Sequence, residues 1–208
     1  GTLTVLTEVS IKVLPKAPSS KTLVIDNPHL IKSLEYLGKS LSSSSDPSGG
    51  VFYPEYFRNN FTFNDLTTEG PITAIRVEGP DDSVNHRIKN LSKELKISNE
   101  EFVILETEQS NIFWEKTKNL QVFSGLKTNL LRVVVPPSET FEVINKLKIY
   151  DIKYFIDWGG SLIWIELNEV SSKILKNIIE IVKIVGGYLT VIKIEENLKA
   201  SVDVFTID

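Results

Sequence analysis

The sequence predicts an α+β protein made of two tandem ferredoxin-like (βαββαβ) subdomains with antiparallel sheets. Two observations carry that expectation. Short β-rich runs alternate with segments whose apolar residues recur at helical spacing, and Pro, Gly-Gly and Asp-rich punctuation falls at the joints. The resulting order, β-α-β-β-α-β, is read twice along the chain. The repeat is one of element order, not of residues.

Leu3 to Leu14 reads as a strand, with Val9, Ile11 and Val13 alternating with Ser10 and Lys12 until Pro15 and Pro18 end the run. Lys21–Asp26 is the next β-type run. Asn27 then caps a helix with Pro28 at its first position and Leu30, Ile31, Leu34, Leu37 and Leu41 as its apolar face. A Ser/Asp/Pro/Gly loop over 42–50 leads to a strand at Val51–Tyr53 and a second at Ile72–Glu78. Gly79-Pro80-Asp81-Asp82 opens a helix with Val84, Ile88, Leu91 and Leu95 inward, and Glu101–Glu106 closes the unit. The second unit starts with Leu130–Val135. Pro136-Pro137-Ser138 caps a helix carrying Phe141, Ile144 and Leu147; Lys153–Asp157 and Leu162–Leu167 flank a Gly159-Gly160 turn. Val170–Val185 is an amphipathic helix stopped by Gly186-Gly187, and Tyr188–Ile194 is the last strand. This divides the chain into 1–18, a first unit over 19–106, a helical connector over 107–127 with Phe113, Trp114, Leu120 and Phe123, and a second unit over 128–208.

Composition excludes several functions. With 41% hydrophobic and 24% charged residues in 208, the chain can bury a core and is not a disordered segment. A net charge of −4 argues against binding a nucleic-acid backbone. The best candidate for a membrane span is interrupted by Glu180 and Lys183, well short of the roughly 20 apolar residues a span needs. Without cysteine there is no disulfide framework and no thiolate metal site, which fits a cytosolic protein. Only His29 and His86 are available, with no metal-binding spacing, so no metal site is expected.

Of 23 lysines and arginines, four are arginine: Arg58, Arg76, Arg87 and Arg132. An arginine kept in a lysine-rich chain suggests a need for its planar, permanently charged fork, the group best suited to a carboxylate. Arg76 and Arg132 both fall inside strands. The competing reading is a strand-face ion pair, Arg76 with Glu78. Trp158, beside the Gly159-Gly160 turn, is either the wall of a ligand pocket or ordinary cover for a core edge. His86 lies on a polar helix face and His29 in a first helical turn, so both read as surface histidines.

At several points the residues resemble a known family. Gly1-Thr-Leu-Thr-Val-Leu-Thr-Glu-Val9 is similar to the strand that ends the flavin domain of FAD-linked oxidases of the vanillyl-alcohol oxidase type. Ser45-Asp-Pro-Ser-Gly49, Arg76-Val-Glu-Gly-Pro80 with Ser83, Val84 and Arg87, Leu131-Arg-Val-Val-Val-Pro-Pro137, and Ile156-Asp-Trp-Gly-Gly160 with Trp164 then follow in order. Together they resemble the glycolate oxidase E subunits, from residue 1 to about 194. No single motif is decisive; the ordered set is fairly specific.

The resemblance implies the C-terminal substrate (cap) domain of an FAD-dependent oxidoreductase acting on the CH-OH group of a small 2-hydroxy acid such as glycolate or lactate. It implies that residues 1–18 are the last strand of an FAD-binding domain outside this chain, and that the chain alone is inactive and binds no FAD. It further implies a heteromeric complex with D-type flavoprotein and iron–sulfur subunits, in the cytoplasm at the inner face of the membrane. Arg132 and Arg76 become the expected carboxylate ligands, Trp158 the pocket wall, and Gly1, Thr2 and Val5 the residues nearest the flavin. The His-Gly and Glu-His-Gly motifs of the catalytic relatives have no counterpart here. Two other functions fit the same element order: a non-catalytic docking domain in such a complex, and an ACT-type small-molecule regulator.

Overall fold

The computed structural model describes residues 5–13, 15–26, 28–61, 70–98, 101–123, 129–196 and 198. The expected α+β class is found, but the two units share one sheet. The first contributes β1 (Ser19–Asp26), α1 (Leu30–Leu41), β2 (Gly49–Tyr53), β3 (Ile72–Gly79), α2 (Asp81–Glu94) and β4 (Phe102–Leu105). After α3 (Thr107–Lys118) come β5 (Asn129–Val134), α4 (Thr140–Leu147), β6 (Ile152–Asp157), β7 (Leu162–Leu167), α5 (Ser172–Ile184) and β8 (Tyr188–Lys193). The strands run β4-β1-β3-β2-β6-β7-β5-β8, with every paired neighbour antiparallel. Each half has the same internal order, and the halves meet through their second strands, β2 and β6.

Strand alternation divides the interior in two. On one face Leu23, Ile75, Phe52, Ile156, Ile163, Leu131 and Leu189 meet Leu37 of α1, Leu91 of α2, Ile144 of α4 and Ile178 of α5 in a continuous apolar core. On the other face Val24, Ala74, Val51, Tyr53 and Phe155 meet Phe113 and Trp114 of α3, with Phe57, Phe61 and Phe123 filling in. That second core is built largely from rings. Tyr53 stacks on Phe155 across the seam at 4.8 Å between centroids, and Phe155 on Trp164 at 6.4 Å.

The seam is thin. The β2–β6 ladder consists of one pairing, Phe52 with Ile156. Beyond it, Tyr56 takes the place of a strand: its hydroxyl donates to the Tyr154 carbonyl at 3.0 Å and accepts from the Tyr154 N–H at 2.8 Å. One phenol thereby satisfies both backbone groups that a longer β2 would have bonded.

Two local expectations are corrected. Residues 5–13 form no strand, and Val5, 89% exposed, projects away from the core with Leu6, Val9, Ile11 and Val13. Their alternation suits a strand, but a strand is a hydrogen-bonded ladder, and no described neighbour pairs with this segment. Helix α1 begins at Leu30 behind His29, not at Pro28, and it is turned relative to the expected face. Ser33, Tyr36, Leu37 and Ser40 are buried, while Ile31 and Leu41 are 61% and 55% exposed. Ser33 and Ser40 can face inward because their hydroxyls donate to carbonyls of the same helix and its cap, at His29 and Leu37.

If Tyr56 joins the halves, Tyr56→Phe leaves both Tyr154 backbone groups without their partner. The expected cost is about 1–3 kcal/mol, read as a lower midpoint in urea. A melt indistinguishable from the parent would show that the stacked rings hold the seam unaided.

Candidate functional site

The site lies where β6 turns into β7. Trp158, Gly159 and Gly160 have φ values of +50°, +63° and +111°, three successive residues in the region that glycine favours and a tryptophan does not. Several contacts hold the turn there. The Asp157 carboxylate accepts the Trp158 N–H at 2.7 Å, and the Thr140 hydroxyl donates to the Gly160 carbonyl. Gly159 is pressed so closely to α1 that a Cβ would stand 2.3 Å from Leu41 Cδ1. The turn lifts the Trp158 indole out of the sheet, leaving it 56% exposed. It is not core cover.

Arg132 projects from β5, opposite Trp164 on β7, and its guanidinium lies over the Trp158 ring at 4.8 Å from the centroid. Among the described residues no carboxylate or carbonyl takes its hydrogen-bond donors. Arg76 is placed differently. Its Nε donates to Ser48 Oγ and lies against Glu78 Oε2, each at 3.1 Å, and Nη2 donates to the Ser48 carbonyl at 3.4 Å. Its guanidinium also lies over Trp114, at 4.9 Å. The strand-face ion pair weighed for Arg76 is therefore present, and its Nε and one N–H of Nη2 are committed.

Trp114 is itself fixed from behind. Its indole Nε1 donates to Thr22 Oγ1 at 2.8 Å, and that hydroxyl shares a chain with Ser110 and Ser20 at 2.7 and 2.9 Å. Trp114 and the two arginines border one cleft of about 770 Å³. Arg76, Arg132, Asp157 and all three tryptophans of the chain line it, as do Lys16, Glu78, Glu115 and Lys118. Arg76 comes from the first unit, and Arg132 with Trp158 from the second. The continuous sheet brings them together.

Asp157 is the pocket's unusual carboxylate. Burial pushes its pKa up, while the Trp158 N–H and the nearby Arg76 charge pull it back. Burial likewise lowers the Arg76 pKa, opposed by Glu78 and Asp157, although an arginine stays protonated regardless. Sequence reading missed Asp157 as a pocket group because Asp before Gly-Gly is ordinary turn chemistry. It also took Trp114 for connector packing. Glu166, 1% exposed on β7, has neither carboxylate oxygen bonded among the described residues and does not line the cleft.

Of the expected site residues, Arg132, Arg76 and Trp158 thus share one cleft. Val5 is exposed and not part of it, and Gly1 and Thr2 lie outside the described residues. His29 and His86 are on the surface. Among the described residues no group of three or more His, Asp or Glu could hold a metal ion, and no helix is long and apolar enough to cross a membrane.

No family model matches this sequence, and no curated protein does. Solved structures do share its fold. A p-cresol methylhydroxylase with substrate bound superposes with a TM-score of 0.58 at 11% identity, over 91% of this chain and 48% of that one. The 4-ethylphenol oxidase from Gulosibacter chungangensis, in complex with isoeugenol, gives 0.54 at 12% identity over 89% and 47%. This chain spans about half the length of those proteins. The likeness establishes the fold.

The strained turn gives a direct check on the geometry. Gly159→Ala adds a methyl group against Leu41 at a positive φ and is expected to cost about 1–3 kcal/mol, lowering the thermal midpoint by several degrees. An unchanged midpoint would contradict the close approach of the turn to α1.

Proposed function

We propose that the chain is the substrate-side domain of an FAD-dependent 2-hydroxy-acid oxidoreductase resembling the glycolate oxidase E subunits. The observation that carries this reading is Arg132: a guanidinium without an acidic partner among the described residues, held over Trp158 in the cleft. A permanently charged planar fork with free donors suits a carboxylate, and the indole beneath keeps it aimed. The fold shared with half of two oxidising enzymes and the ordered motifs at 45–49, 76–80, 131–137 and 156–160 support the same reading.

The floor of the site also fits a flat ring. On β5 and β7 the side chains of Arg132, Val134 and Trp164 are only half-buried, since α3 packs over the first half of the sheet. A planar cofactor presented from another domain could lie there, with Trp164 and Arg132 against it. The described residues offer no glycine-rich phosphate cradle, so the nucleotide end would be held elsewhere. When bound, a flavin supplies the two-electron acceptor for the substrate's α-carbon. This chain's part is to bind and orient the acid: Arg132 holds the carboxylate, Trp158 walls the cleft, and Arg76, fixed by Glu78, Ser48 and Trp114, keeps the potential positive. Electrons would pass on through D-type and iron–sulfur partner subunits.

The test uses the flavoprotein that carries this chain, with its partner subunits, under anaerobic conditions. Glycolate or D-lactate is expected to bleach the flavin, and Arg132→Ala to raise the concentration needed by tenfold or more, about 1.5–3 kcal/mol. Bleaching indifferent to Arg132 would turn the reading toward a docking domain. No flavin in the complex would overturn it.

A further inference from the structure

We infer that Asp157 is the group that reads the second carbon of the bound acid, accepting a hydrogen bond from a 2-hydroxyl when ionised and donating one to a 2-oxo oxygen when protonated. The inference rests on the cleft binding a small acid through Arg132, and deepens that reading by assigning the discrimination between the alcohol and the ketone.

The geometry starts from Trp158. Asp157 immediately precedes it and Arg132 lies on its ring, so a carboxylate-binding fork and a carboxylate face the same stretch of cleft. Asp157 Oδ1 is occupied by the Trp158 N–H. Oδ2 has no hydrogen-bond partner among the described residues and is the oxygen left for a ligand. In a 2-hydroxy acid the hydroxyl sits one carbon from the carboxylate. A fork and an acceptor lining the same cleft would therefore read both groups of one ligand.

The two oxidation levels differ in one respect: a hydroxyl can donate, while a ketone oxygen only accepts. An ionised Asp157 matches the hydroxy acid and leaves the oxo acid with two acceptors face to face. A protonated Asp157 reverses that preference. Burial pushes the Asp157 pKa up, while the Trp158 N–H and the Arg76 charge pull it back, so lower pH favours the donor form and higher pH the acceptor form. The charged and titratable groups around Asp157 are Arg76 and Glu78 on β3, Tyr53 on β2, Arg132 on β5, Glu115 and Lys118 on α3, and Lys16. Burial pushes the Tyr53 hydroxyl far up, so it stays neutral.

The experiment measures binding, not turnover. Lactate and pyruvate are titrated into the 208-residue chain by calorimetry at about pH 5.5 and about pH 8, where both ligands remain carboxylates. The ratio of the pyruvate to the lactate dissociation constant is expected to rise about tenfold between the two conditions, the size of one charge-assisted hydrogen bond gained or lost. In Asp157→Asn, whose amide oxygen can still cap Trp158, the ratio is expected to be flat. Asp157→Ser serves if the amide variant does not fold. A flat ratio in the parent chain, or a slope that persists in the variants, overturns the inference while leaving the cleft as an acid site. Failure of the parent chain to bind either acid overturns the reading of the cleft, and the inference with it.

Discussion

Everything functional in this molecule depends on the seam between β2 and β6. Each half alone is a small sheet with helices on one side, and neither contains the cleft. Arg76 and Ser48 belong to the first half and Trp114 to the connecting α3; Arg132, Asp157 and Trp158 belong to the second half. One residue pairing and the Tyr56 hydroxyl join the strands, and the Tyr53–Phe155 stack packs the junction. Rings suit such a joint, because each buries a large area and resists sliding across its neighbour. Gly49 and Gly50 add to this: a Cβ on Gly49 would stand 3.0 Å from the Trp114 ring, and one on Gly50 would crowd Leu37 at 2.9 Å. The strand at the seam is kept small where the helices on either side come closest.

The two arginines on the open face show how one residue type serves two purposes. Each lies on a tryptophan at nearly the same distance. Arg76 is spent on structure, since Glu78 and Ser48 hold its fork and a chain of buried hydroxyls fixes the ring beneath it. Arg132 keeps its donors. A guanidinium left unpaired among the described residues, but anchored to a ring that is itself held in a strained turn, is what the proposed anion site requires; the cost of ordering it would be met in folding rather than on binding. Asp157 ties the strained turn to the cleft, because the carboxylate that caps Trp158 also lines it.

Much of this was legible in the sequence. The order of elements, the inward residues of α2 and the turn at Gly159-Gly160 followed from period, caps and breakers. Residue type and strand position drew notice to Arg132 and Arg76, and the Gly-Gly turn to Trp158, but their roles in a site came from the family resemblance. What could not be read was long-range. Nothing in the local pattern says that β2 continues into β6, since a single pairing leaves no periodicity to detect. Trp114 looked like connector packing because its partners, Thr22 and Arg76, lie far away in sequence. Residues 5–13 alternate as a strand should, yet pairing decides, and no described strand pairs with them. Ile31 counted as core by spacing and is exposed, while Ser33, polar by type, is buried and bonded to its own helix.

In the function proposed for it, the cleft beside Trp158 binds a small carboxylic acid through Arg132, with its open floor facing a flavin. The most direct measurement is a structure of the flavoprotein that carries this chain, with a 2-oxo acid bound. The carboxylate is expected in the fork of Arg132 and the oxo oxygen toward Asp157, with the flavin ring across the face of β5 and β7. An acid bound elsewhere, or that face covered by a partner's surface in place of a cofactor, would contradict it.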